Sequence, residues 1–347
     1  MRYIYVLVVL LTINSSYAFS DTFDKLFIAS GKDIRLNANV ESFHTNDKVV
    51  LSNFMDETGR NSLSITLQKV HTSYIDPTIA TVSRFRGSVE TDKGSCVYLT
   101  VIDKYISVKV IKGNGVEYNI LPSQSEQNNT YLLMNKEDKV MNTPTLCQAI
   151  EPQDVMKFKT KGNANKTLAN KTLQLNIALD VCKEWYLWKF NGDTTRIKNY
   201  ILTMYSMVSF IYEKEMNISL YITWLKLRTN TDPYNSGDDA SNWGCMPRTV
   251  LDAMPYYWKK NNLTVKADLV HAVSVGGRGG VANYDGLSKG IHDGNTWGPY
   301  AAISITGDSK FTGDPTTFFD YDVHTVAHEM GHNLNCPHTH SCSWNPP

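Results

Sequence analysis

The feature that most constrains this chain is His328-Glu329-Met330-Gly331-His332, followed by His338. Two histidines four residues apart sit about 40° apart on one face of a helix, so both rings can reach a common point. Around them Val323, Val326, Ala327, Met330 and Leu334 form an apolar stripe, which would seat such a helix against a sheet. Asp322 to Leu334 is therefore expected as a helix with one buried face and one working face.

That spacing suits a metal ion, and an ion of zinc type needs a third protein donor. No Asp or Glu follows Glu329, which excludes a downstream carboxylate ligand within this chain; the downstream donors are Cys336, His338, His340 and Cys342. For His338 to reach the same ion, the helix must stop soon after Leu334 and the chain must turn sharply. Asn335 stands where a left-handed residue would end the helix, and Pro337 prevents its resumption. At this histidine frequency the five-residue pattern arises by accident in roughly 1% of such chains, and the third histidine divides that by about forty.

The expected metal ligands are thus His328, His332 and His338, the cofactor Zn2+, and the fourth position open for water, as in catalytic rather than closed structural sites. Zinc lowers the pKa of bound water and polarises a carbonyl, and Glu329 is placed to act as general base on that water and then as proton donor to a leaving amine. His324 and His340 read as surface residues or neighbours of the site, and His271, in an apolar strand, as a core histidine.

The chain begins with Met1-Arg2, a largely apolar run from Tyr3 to Ile13, and small residues in Ser16-Tyr17-Ala18. This is the pattern of a secretory signal over residues 1–18, too short for a membrane anchor. Sequons at Asn128, Asn165, Asn170, Asn217 and Asn262 and six cysteines suit that secreted, extracellular route. The formal net charge is zero, which argues against nucleic acid or an anionic membrane as partner.

Residues 19–155 read as β-rich. Val97 to Ile111 alternates and breaks at Asp103-Lys104, and Gly113-Asn114-Gly115 turns into Val116 to Leu121. The polar, lysine-rich stretch over 156–171 reads as a linker. From 172 onward strands (Leu173–Val181, Ile218–Leu227, Asp268–Val275, Tyr300–Thr306) alternate with helices (Thr194–Met216, Arg248–Lys260, Asp322–Leu334), which implies an α/β fold with a largely parallel sheet. Gly276 to Gly280 has no following Gly-Lys-Ser/Thr, so it reads as a loop beside an edge strand and not as a phosphate loop.

Through Val326 to Asn333, Pro337 to His340, Thr231-Asp232-Pro233-Tyr234 and the strand from Asp268, the chain resembles the reprolysin-like (adamalysin-type) branch of the metzincin metalloproteases over about residues 172–347. The resemblance implies a zincin catalytic domain with a five-stranded, twisted, mostly parallel sheet, an active-site helix, and an edge strand near Gly279 to Asn283 that binds a peptide substrate as an added antiparallel strand. It also implies a β-rich propeptide over 19–155, and a secreted monomer acting on protein or peptide substrates with no membrane anchor. A propeptide cysteine could occupy the open zinc position; Cys147 is the preferred candidate and Cys96 the next, with a Cys96–Cys147 disulfide as the alternative. Lys157, Lys159 and Lys161 are candidate activation points, since no Arg-x-x-Arg precedes Leu173. Cys336 and Cys342 are expected to anchor the ligand turn by disulfides. The sequence departs from the family pattern in having Asn335 for glycine, Thr339 after the third histidine and no methionine after Met330. The last departure is expected of a chain truncated before the Met-turn; the rival expectation is an inactive zinc-binding homologue acting as a binding or decoy protein. A structural zinc module is a further rival, and it would need a fourth protein ligand.

Overall fold

The computed structural model describes residues 20–30, 33–72, 74–123, 130–135, 146–147, 172–234, 247–275, 279–284, 286–288, 290–292, 298–305 and 318–338. The signal segment, the linker, Asn128, Asn165, Asn170, Cys245, Thr339, His340 and Cys342 lie outside them.

The N-terminal half supplies strands β1 (Ser20–Asp24), β2 (Phe27–Ser30), β3 (Asp33–Leu36), β4 (Lys48–Met55), β5 (Asn61–Lys69), β6 (Val82–Val89), β7 (Cys96–Ile102), β8 (Tyr105–Ile111), β9 (Glu117–Pro122) and β10 (Thr130–Asn135), with a short helix α1 (Glu41–Thr45). They form one ten-stranded sheet in the order β1-β4-β5-β6-β7-β8-β9-β10-β3-β2, in which only the β1·β4 pair is parallel. The meander expected from Val97 onward is present. Its turns use left-handed residues, Asp103 at φ 50° and Gly115 at φ 86°, as tight strand connections require. Phe27, Phe43, Phe54, Phe85, Leu99 and Tyr118 fill the core beneath it.

The second sheet contains β11 (Leu146–Cys147), β12 (Leu173–Val181), β13 (Ile218–Leu227), β14 (Leu269–Val275), β15 (Gly279–Ala282) and β16 (Tyr300–Ile305), in the order β11-β15-β16-β14-β12-β13. Strands β12 to β16 form the expected five-stranded, mostly parallel sheet, and only β15 runs antiparallel to its neighbour β16. Helices α2 (Thr194–Met216), α3 (Pro247–Asn261) and α4 (Phe319–Asn333) cover it. β11 comes from the N-terminal half and adds a sixth strand on the β15 edge. The opposite edge is met by Ile75, bridged to Ile222 of β13. Both borders of the C-terminal sheet are thus engaged by N-terminal chain.

Helix α2 shows how the halves are joined. Asp193 caps its start by accepting from Thr195 N and Arg196 N, and left-handed Asn217 ends it. Hydroxyls interrupt its apolar sequence, yet Thr203, Ser206 and Ser209 are all buried. Ser206 bonds Thr100 of β7 at 2.8 Å, and Ser209 donates to Glu213 at 2.7 Å. Arg84 of β6 pairs with Glu213 at 2.7 Å, with side chains 2% and 13% exposed. Its guanidinium lies 4.2 Å from the Phe210 ring centroid. One face of α2 therefore packs on the C-terminal sheet and the other on the N-terminal sheet. Among the described residues no helix is long and apolar enough to cross a membrane.

Candidate metal centre

Helix α4 begins three residues before the segment expected from the sequence. Its stripe is buried as anticipated: Phe319, Val323, Val326 and Met330 enter the main core, with Ala327 and Leu334 partly buried beside them. Two tyrosines of α2 hold it from behind, Tyr212 donating to Ala327 O at 2.8 Å and Tyr200 to the Asp322 carboxylate.

The helix ends as the sequence requires. Asn335 is left-handed at φ 69°, its N–H donates to His332 O at 2.8 Å, and the Cys336 N–H donates to Gly331 O at 2.9 Å. These two bonds make a Schellman motif, which satisfies the last carbonyls while reversing the chain. The reversal brings back His338. His328 Nε2 lies 3.1 Å from His332 Nε2 and 3.3 Å from His338 Nε2.

An ion bonded tetrahedrally to three imidazole nitrogens at about 2.0–2.1 Å holds those nitrogens about 3.4 Å apart, so the observed spacing fits zinc. Donor chemistry agrees as well. His332 Nδ1 donates to Cys336 O at 2.7 Å, which fixes the tautomer and leaves the Nε2 lone pair facing inward. Among the described residues no fourth side chain joins this cluster.

Glu329 is 1% exposed and lies against the backbone of β15. A Cβ built on Gly280 would stand 2.5 Å from Glu329 Cγ and 2.9 Å from Oε1. Only a glycine lets the strand approach the carboxylate this closely. The sequence puts Gly280 in a glycine-rich run and, through the resemblance, on the expected substrate edge; its tie to Glu329 comes from packing between distant segments. Asn333 closes the motif run in the sequence, which gives no sign of its structural role. It is fully buried and donates through Nδ2 to Asn283 O at 2.9 Å and Tyr300 O at 3.0 Å, locking the end of α4 to the point where β15 and β16 part.

His324 is exposed, its ring 6.3 Å from that of His328, in keeping with a surface neighbour. His271 is buried in β14 and bonded to Tyr205 at 2.8 Å, a core residue as expected. Two cysteine expectations change. Cys336 carries a free thiol rather than a disulfide, and the turn is anchored through its backbone N–H and carbonyl. Cys96 is also free, which removes the Cys96–Cys147 bridge.

Fold and centre together define a metallopeptidase of the zinc-binding, three-histidine type. The model of the reprolysin-type metallo-peptidase family M12 matches residues 170–345, just over half of the chain, and the protein belongs to that family. No curated protein matches it. Among solved structures it is similar to metalloproteinase-II from Bacteroides fragilis at 12% identity, over 83% of this chain and 80% of that one, with a TM-score of 0.48. It also overlaps a chaperone-substrate complex at 10% identity, over 66% of this chain and 27% of that one, with a TM-score of 0.29.

Proposed function

We propose that the protein is a secreted zinc-dependent metalloendopeptidase that cleaves extracellular proteins and is held latent by residues 19–155. The observation that carries this reading is the convergence of the His328, His332 and His338 rings, two of their Nε2 separations being 3.1 and 3.3 Å, beside buried Glu329. Zinc in that site would acidify a bound water and polarise the scissile carbonyl. Glu329 takes the water's proton and returns it to the departing amine. The substrate backbone pairs antiparallel with β15, next to Gly280, so its carbonyl arrives beside the carboxylate. Low-dielectric surroundings strengthen each of these interactions.

Latency follows from the same edge. β11 pairs with β15 in parallel, with Cys147 in register with Gly280. It therefore occupies the substrate edge in the reverse direction to a substrate strand. In the proposed latent form Cys147 would supply a thiolate to the zinc site, and a cut in the 156–171 linker, at Lys157, Lys159 or Lys161, would release it.

The test is a quenched-peptide assay on the full chain, its Cys147→Ala variant and a Cys147→Ala/Glu329→Gln double variant. The reading expects one zinc per chain in all three, low activity in the first, chelator-sensitive cleavage in the second and none in the third. Zinc binding without cleavage in Cys147→Ala would favour a binding or decoy protein instead.

A further inference from the structure

We infer that the N-terminal sheet is a lasting partner of the catalytic half: once the linker is cut, β1 to β10 stay bound, and only the β11 arm lets go. The inference rests on the proposed cut in the 156–171 linker and narrows what that cut removes.

The two attachments differ in kind. β11 holds the substrate edge by two register pairs, Leu146 with Gly279 and Cys147 with Gly280. The ten-stranded sheet is joined through a shared core. Tyr74, Ile75, Tyr98, Ile102, Leu121 and Met134 belong to one buried apolar cluster with residues of α2, α4 and the C-terminal strands. Tyr98 meets Phe210 of α2 with ring centroids 4.6 Å apart. An interface that resembles a domain core cut in half is that of an obligate complex, whereas surfaces made to part are smaller and more polar.

The polar groups inside this interface are matched across it. The Tyr74 hydroxyl donates to Leu202 O at 2.7 Å, Thr100 bonds Ser206 at 2.8 Å, and Arg84, 2% exposed, meets Glu213 at 2.7 Å. On the outer edge of β13, Ile222 N donates to Tyr74 O and Asp76 N to Ile222 O, both at 2.9 Å, covering backbone that a bare edge strand would present. At the start of α4, Asp320 accepts from Asn119 at 3.0 Å and from Lys109 at 3.4 Å. Loss of the sheet would uncover the second face of α2, the border of β13 and the start of the helix that carries His328 and His332. None of these contacts involves β11 or a metal ligand, so freeing the arm leaves them in place.

The experiment uses the full chain as Cys147→Ala, so that no thiol links the arm to a metal. One form carries a site for a sequence-specific protease in 156–171; a second carries it in both 136–145 and 156–171, so that cutting excises β11. After cutting, mass and dissociation constant are measured by ultracentrifugation on dilution into the nanomolar range. Both forms should run as a one-to-one complex of the N- and C-terminal pieces. Arg84→Ala should raise the dissociation constant about a hundredfold, as for one partner removed from a buried ion pair. Thr66→Ala, whose bond to Glu90 stays within the N-terminal sheet, should change it less than twofold. If Arg84→Ala does not fold, the two cut forms still decide. Separation of the pieces in either form overturns the inference, as does an unchanged dissociation constant in folded Arg84→Ala. A complex that persists but neither binds zinc nor cleaves peptide would overturn the proposed function and leave this inference standing.

Discussion

Replacing Gly280 with alanine perturbs the centre without touching a ligand. Gly280 does not have the positive φ that would strain alanine, so the effect is steric. The new Cβ would lie 2.5 Å from Glu329 Cγ and 2.8 Å from Cδ, whereas carbon atoms sit at about 3.5–4.0 Å when unstrained. Restoring that contact requires a movement of roughly 1 Å. The strand is hydrogen-bonded to β16 and cannot easily retreat, so the carboxylate moves. A misplacement of about 1 Å in a reacting group costs on the order of a hundredfold in rate, or about 2.7 kcal/mol. The assay is peptide cleavage by the Cys147→Ala form with and without Gly280→Ala, alongside zinc content and thermal midpoint. The account expects kcat to fall about a hundredfold with zinc stoichiometry intact. Full kcat in a zinc-loaded, folded Gly280→Ala protein would refute the reasoning that the base lies against this strand.

Other consequences can be measured on stability alone. Arg84→Ala leaves the 13%-exposed Glu213 without its cation, and denaturant unfolding should show a loss of about 3–5 kcal/mol. Asn335, left-handed at φ 69°, should tolerate glycine with little change, whereas alanine should cost about 1 kcal/mol and weaken zinc binding by moving His338; thermal melts and chelator competition check both. His271 has a folded pKa lowered to about 4 by burial, below its unfolded value. Between pH 6.5 and 4 the unfolded state therefore binds the extra proton, and stability falls as pH falls by up to about 3 kcal/mol. His271→Gln should remove that part of the pH dependence, and an unaltered profile would contradict the burial assignment. Zinc at about a thousandfold over its dissociation constant should add about 4 kcal/mol, lost on chelation.

Elements with periodicity sustained over their whole length, even across a few hydroxyls, were legible in the sequence. Leu173–Val181, Thr194–Met216 and Ile218–Leu227 stand where their patterns put them. The break at Asn335 was legible too, because few residues accept its backbone angles. What could not be read depends on partners far along the chain. β11 is two residues long and exists only by pairing with β15. The hydroxyls of α2 look like interruptions until the N-terminal sheet supplies Thr100 and Ser107 opposite them. Cys336 invited a disulfide reading because its thiol is conspicuous in sequence, whereas its backbone N–H and carbonyl, common to every residue type but proline, hold the turn. The metal ligands were legible as a motif, but Gly280 and Asn333, which set the distance between α4 and the substrate edge, were not.

The central claim concerns the coordination sphere, and zinc K-edge X-ray absorption on the Cys147→Ala protein measures it directly. The account predicts three imidazole nitrogens and one exchangeable oxygen, all at about 2.0–2.1 Å, with no sulfur near 2.3 Å. A sphere closed by cysteine sulfur, or one containing two imidazoles or fewer, would contradict it.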